Sequence, residues 1–544
     1  MKNRLAKFCV DFIGVWSFLL LAACSQEAIP EHTVFRYNES AGITSLDPAF
    51  ARMQSNIWVV NQLFDGLVRL DDQLVPRPAL AIDWEIDSSA TRFTFYLRED
   101  VWFHHSPLFG EEGTRKLCAH DVVYSLQRLT DPTLGAPGAW IMRPVSKVFA
   151  PDSLTVIIEL KEPFPPFLSL MAMPYAFVVP EEIAREKGQT FGRNPIGTGP
   201  FYMKRWIENE KLVLRRHDAY FEVEGNDQLP YLEAVSIKFI PDKQAAFMEF
   251  IKGQSDLLSG LDAAYKDELL NPDGTLHKKH HSRFDYTTQL YLNTEYLGIL
   301  MDTASNLMSA HPLRLQKVRQ AINYGFDRRA MMQFLRNNVG TPATGGFIPP
   351  GLPGSLSLDE GYDYNPELAA QLLAEAGFPE GVGLPVIELQ TNASYLDICE
   401  FIQSQLSQLG IRLKIDVNPP ATLRQAIATS KVPFFRGSWI ADYADAENYL
   451  SLFYSKNFTP NGPNYTRFMN KEFDRAYEQC LSIPDWEVRA DIYREMDSLV
   501  MFHAPVIPLY YDQVIRFFPK GIIGLDANGM NLLDLRRVQK PRKL

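Results

Sequence analysis

Phe93, Phe95 and Leu97 alternate with polar neighbours in RFTFYLRED (92–100), the period of two that marks a half-buried strand. IRLKIDV (411–417) repeats the alternation with Ile411, Leu413, Ile415 and Val417 in step, and LVLRRHDAYF (212–221) and AVSIKFIPD (234–242) also read as strands. Helical stretches interleave with them. AHDVVYSLQRLTDP (119–132) predicts a helix stopped by Asp131-Pro132, and DKQAAFMEFIKG (242–253) one closed by Gly253. NPELAAQLLAEAGF (365–378) carries Asn365 as N-cap, Pro366 at the first helical position and Gly377 just past the end. Strands dominate the first third and helices lengthen from about residue 311. This mixture predicts α/β or α+β domains and excludes a β sandwich or a helical bundle. No internal repeat or low-complexity tract interrupts it.

The first residues follow a different pattern. Lys2, Arg4 and Lys7 precede an apolar run from Phe12 to Ala23, shorter than the ~20 apolar residues that span a bilayer, so a cleaved export signal is expected. Leu21-Ala22-Ala23-Cys24 resembles the lipobox of bacterial lipoproteins. That resemblance implies removal of residues 1–23, lipidation of Cys24 and a polar tether over 24–33. Stable anchoring then takes more than one acyl chain. The alternative is an ordinary secretory signal that contains a cysteine.

About 520 residues remain, too many for one hydrophobic core, so two or three domains are expected. Hydrophobic residues make up 46% and charged ones 22%, as in soluble globular chains. The net charge of -11 argues against a nucleic-acid partner. With Cys9 in the signal and Cys24 lipidated, Cys118, Cys399 and Cys480 are left: an odd number, widely spaced, read as core thiols with at most one disulfide.

Seven groups of segments, in order, resemble the bacterial extracellular solute-binding proteins of family 5, which feed oligopeptide and dipeptide ABC importers. They are SLDPAF (45–50) with NQLFDGLVRLD (61–71); PALAIDWEI (78–86) with FTFYLREDVWFH (93–104); AHDVVYSLQRLTDP; NPIGTGPFYM (194–203); VRQAINYGFDR (318–328); SWIADYADAENYLSLF (438–453); and PVIPLYY (505–511). The resemblance implies an α/β periplasmic-binding-protein type II fold of two lobes, with an extra domain in the first and chain crossings near 285 and 510. The expected division is 34–64, 190–285 and 511–544 in the first lobe's core, 65–189 in the extra domain and 286–510 in the second lobe. It further implies a monomeric, membrane-anchored receptor, periplasmic or at the cell surface. Such a receptor captures short peptides by cleft closure and delivers them to a permease, with no catalysis and no cofactor.

In peptide-binding relatives the Asp of the Trp-x-x-Asp segment pairs with the ligand ammonium; here it is Asp442, with Trp439 lining a side-chain pocket. Arg436, three residues before that Trp, is expected to reach a short peptide's carboxylate. Six residues apart in an extended chain, Arg436 and Asp442 would share a face with Cα atoms roughly 20 Å apart. In the first lobe, where relatives often carry an acid after Leu-Asp-Pro, this chain has Arg52, with Gln54 nearby. Gly138 stands near the place of a usual aromatic, with Trp140 close by, and Cys118 replaces the Thr that would cap the next helix. Asp445 reads as a helix cap.

Other readings stay open at this stage. Asp442 could itself cap a helix, with Arg436 as its internal ion-pair partner. The same fold could carry a sugar, metal chelate or haem, or Asp442 and Asp445 could be the two carboxylates of a surface glycosidase. LHKKHH (276–281) reads as a solvated basic patch with no metal, because Lys278 and Lys279 would repel a cation. Gly197-Thr198-Gly199 lacks the third glycine and following helix of a dinucleotide loop.

Overall fold

The computed structural model describes residues 29–541 apart from 261, 263 and 264. The expected export signal, Cys24 as the expected lipidation site and the start of the expected tether therefore lie outside the described residues.

Three larger sheets organise the chain. The first pairs Val34–Asn38, Ala234–Lys238, Lys211–Arg216 and Phe201–Ile207 in that spatial order. Its inward residues Phe35, Tyr37, Leu212, Leu214, Val235 and Ile237 are buried with Leu533, Leu535 and Val538 from the end of the chain. The second is antiparallel, in the order Ala81–Ile86, Arg92–Leu97, Thr155–Leu160, Val145–Phe149. Phe93, Phe95 and Leu97 face its core, as their alternation predicts. The helix Ala119–Gln127 packs Val122 and Leu126 into the same core.

The third sheet has seven strands, at its centre the two longest of the fold, Phe284–Ile299 and Val506–Pro519. They run antiparallel from Phe284↔Pro519 to Gly298↔Val506, with a register break between Leu290 and Thr294. One end of the pair meets Leu258–Ser259, and the other meets Phe434–Ile440, which continues to Ile387–Thr391 and Leu413–Val417. The pair thus ties two regions of the molecule together. Leu297, Ile299, Phe434 and Ile507 point into one core, and Leu292, Tyr296, Phe435 and Val506 into another on the opposite face. A sheet covered on both faces needs apolar residues at every position, not at alternate ones.

The expected caps are present. Asn365 accepts from the Leu368 N–H at 3.0 Å with Pro366 at the first helical position, and Gly377 takes φ +92°. Gly253, with φ +72°, follows the helix Lys243–Ile251, which Asp242 begins by accepting from the Ala245 N–H at 2.7 Å, a cap not among those expected from the sequence. Several strands are shorter than expected, among them Ala234–Lys238 of the 234–242 segment. Lys211–Arg216 ends before His217, whose N–H donates to Pro200 O at 2.9 Å and turns the chain away, and the 411–417 strand begins only at Leu413. Cys118, Cys399 and Cys480 are free thiols. Cys118 does precede the helix Ala119–Gln127, its backbone N–H donating to the Asp121 carboxylate at 3.0 Å. No helix among the described residues is long and apolar enough to cross a membrane.

The Gly197-Thr198-Gly199 segment serves packing. A Cβ on Gly197 would strike Leu63 O, and one on Gly199 would strike the Leu63–Phe64 peptide. Only glycine lets this strand entry lie against the end of the helix Gln54–Leu63.

Candidate ligand-binding site

Asp47 of SLDPAF and Arg128 of LQRLTDP form a buried ion pair at 2.8 Å. The Asp47 carboxylate also accepts from the Ala49 N–H at 3.0 Å and sets the tight turn Pro48–Phe50. The turn delivers Arg52, and then the helix Gln54–Leu63, to the face opposite the third sheet. Gln54 Nε2 and Trp58 Nε1 both donate to Asn531 O, at 2.8 and 2.7 Å, holding the chain's last segment beside them.

From the other side comes the strand Phe434–Ile440. Just beyond its end, Asp442 enters a cavity of about 350 Å³ that Arg52, Gln54, Tyr175 and Tyr291 also line. Tyr291 sits in the register break of the long strand pair and borders a second cavity of about 410 Å³ as well, so the two adjoin. The regions touch at the Trp140 and Tyr443 rings, 6.3 Å between centroids, and where Ser169 Oγ meets Ala444 O at 3.5 Å.

The Asp442 carboxylate faces the cavity with no ion-pair partner among the described residues. Burial raises its pKa above the ordinary carboxylate range, and Asn448 moderates the shift. Asn448 Oδ1 accepts from the Asp442 N–H at 3.2 Å and from Trp439 Nε1 at 2.9 Å. Trp439 therefore fixes Asp442 through Asn448. It is half-buried in the core beside the sheet and is not among the residues lining the cavity, contrary to the expectation of a side-chain pocket.

Arg436 also departs from expectation. Its guanidinium is paired with the buried Glu295 carboxylate and lies over the Tyr395 ring, 3.1 Å from the centroid, and it lines neither cavity. The extended-chain argument for a shared face with Asp442 fails because the strand ends at Ile440. The alternative in which Arg436 neutralises Asp442 fails because its guanidinium is paired with Glu295 instead. Asp445 behaves as a cap, accepting from the Glu447 N–H at 2.9 Å, and its carboxylate is paired with Arg489 at 3.4 Å. It does not line the cavity that Asp442 enters.

Arg336, missed in the sequence, lines the second cavity at the end of the helix Arg328–Arg336. Its guanidinium lies 5.4 Å from the Tyr510 ring centroid and makes no ion pair among the described residues. Nothing local marks it, since an Arg in a last helical turn ordinarily serves the helix dipole. Tyr175 was missed too. Its ring fits flat against Gly138, where a Cβ would come within 2.5 Å, so the absence of the usual aromatic there makes room for a different one.

A cavity bounded by two regions that share one pair of crossing strands is the arrangement of a type II periplasmic binding protein. The chain belongs to the bacterial extracellular solute-binding proteins, family 5, whose middle region matches residues 75–461. It is 25% identical over 494 residues to the glutathione-binding protein GsiB of Escherichia coli, covering 89% of this chain and 90% of that one. The GsiB of Salmonella paratyphi A is 24% identical with the same coverage. Among solved structures, HbpA2 from Haemophilus parasuis superposes with a TM-score of 0.82 at 23% identity, over 94% of this chain and all of that one. DppA from Helicobacter pylori, in complex with the peptide STSA, gives 0.72 at 21% identity, over 94% and 98%.

Proposed function

We propose that this chain is a lipid-tethered extracytoplasmic receptor that captures short peptides and hands them to an ABC permease. The observation that carries the reading is the Asp442 carboxylate, without an ion-pair partner among the described residues, in a cavity walled by both halves of the molecule. A peptide's free ammonium supplies the missing charge, and a charge-assisted hydrogen bond shielded from water is strong. Arg336, in the adjoining cavity, replaces Arg436 as the group that receives the peptide's carboxylate. Relatives named for glutathione and for a bound peptide support the same class of cargo. A ligand that contacts both halves binds the closed arrangement better than the open one, so capture and closure are coupled. The chain then works as a binder and returns its cargo unaltered.

Native mass spectrometry of freshly purified protein tests this directly. A ladder of co-purified peptide masses is expected, and a single non-peptide mass overturns it. Calorimetry with a peptide and its amino-acetylated form gives the second readout, because equal affinity for both removes Asp442 from the role.

A further inference from the structure

Arg52 and Asp442 reach one cavity from opposite sides and do not pair with each other. The Arg52 guanidinium makes no hydrogen bond or ion pair among the described residues; only its backbone N–H is engaged, with Phe50 O at 2.8 Å. Tyr175, on the wall they share, has its hydroxyl pKa pushed up to about 12 by burial and then by Asp442, while Arg52 acts in the opposite sense. The hydroxyl thus lies within the field of both charges. Much of the remaining wall is apolar, with Ile57, Leu70, Met173 and Leu532 among its residues. Charges facing such a wall gain from a partner inside the cavity.

An ammonium alone satisfies Asp442 and leaves Arg52 facing water. A cationic leading side chain is worse, since Arg52 repels it. A carboxylate on the same leading residue completes both pairs at once, the bidentate geometry of a guanidinium matching a carboxylate's two oxygens. Resting on the peptide reading above, we propose that this cavity selects cargo whose leading residue carries a carboxylate beside its ammonium, with Arg52 as the specificity-determining residue. Two sources share that chemistry: a γ-linked glutamyl residue, with the carboxylate on Cα, and an α-linked acidic residue, with it on the side chain.

Titration calorimetry on the full-length protein with γ-Glu-Ala-Gly, Glu-Ala-Gly and the neutral Gln-Ala-Gly separates them. At least one acidic peptide is expected to bind roughly tenfold or more tighter than the neutral one. Which acidic peptide wins identifies the source. Arg52→Gln, at an exposed position, is expected to erase the preference while leaving the melting temperature unchanged. Equal affinity for all three peptides, or a preference that survives Arg52→Gln, overturns the proposal. If Asp442→Asn weakens all three peptides while Arg52→Gln weakens none, only the carboxylate assignment falls. If Asp442→Asn weakens none, the peptide reading falls with it.

Discussion

Arg436 and Glu295 form a buried ion pair between neighbouring antiparallel strands of the seven-stranded sheet, their side chains 8% and 3% exposed. Asn293 Nδ2 donates to the same carboxylate at 3.1 Å, and the Tyr395 ring covers the guanidinium. Removing one partner of such a pair leaves the other charged and buried, at a cost of about 3–5 kcal/mol. Glu295→Ala and Arg436→Ala are each expected to lower the melting temperature clearly. The double replacement Glu295→Met with Arg436→Met should recover most of the loss. Peptide affinity measured on the variants that remain folded should change far less than stability. A large affinity loss at unchanged stability would return Arg436 to the binding site.

Asp442 predicts the opposite split. Its carboxylate makes no ion pair among the described residues and its surroundings raise its pKa, so Asp442→Asn removes an electrostatic penalty. The empty variant should melt at the same temperature or slightly higher, and peptide affinity should fall by about tenfold or more. The sign with pH follows from the raised pKa. Bound ammonium favours the ionised carboxylate, so affinity is full at neutral pH and declines as pH falls through a value above the ordinary ~3.9 of an aspartate. Calorimetry at stepped pH checks this, and the Asn variant should lack that part of the decline.

Glu447 gives stability a pH slope of its own. It is buried, accepts from the hydroxyls of Tyr443 and Tyr477, and its pKa is pushed up to about 7 chiefly by burial. Because the folded value lies above the unfolded one, its contribution to stability is complete below about pH 4.5 and is lost as pH rises through about 7. The shift corresponds to about 3 kcal/mol over that window. Thermal melts at pH 5 and pH 7.5 should show a wild-type decline that is smaller in Glu447→Gln.

Much of the fold was legible locally. Alternation located Arg92–Leu97, and the Asn365-Pro366 and Gly377 signals bounded Pro366–Glu375, because one-sided burial and capping chemistry are written in adjacent residues. The two long strands were not legible by period. From Leu292 to Ile299 every residue is buried, so inward and outward positions share one composition. At the site, Asp442, Arg52 and Gln54 do meet in one cavity. Arg436 was misjudged because its partner Glu295 lies 141 residues away, and a stretch of sequence shows a charge without showing what neutralises it.

Gly138 packs against Tyr175 of the cavity wall, and their contact carries a measurable coupling. Gly138 is buried, and a Cβ there would lie 2.5 Å from the Tyr175 ring, well inside contact distance. Gly138→Ala must therefore displace the ring, and overpacking of this kind costs about 1–3 kcal/mol. Tyr175→Ala empties the space the new methyl needs, so in that background the same Gly138→Ala step should cost less than about 0.5 kcal/mol. Denaturant unfolding of the four proteins in the cycle measures the difference. Displacing the ring also opens the wall between Arg52 and Asp442, because Tyr175 lines the cavity with both. Peptide affinity should consequently fall in Gly138→Ala and fall no further in the double variant than in Tyr175→Ala alone. Additive effects on both stability and affinity would show that the glycine and the tyrosine act separately.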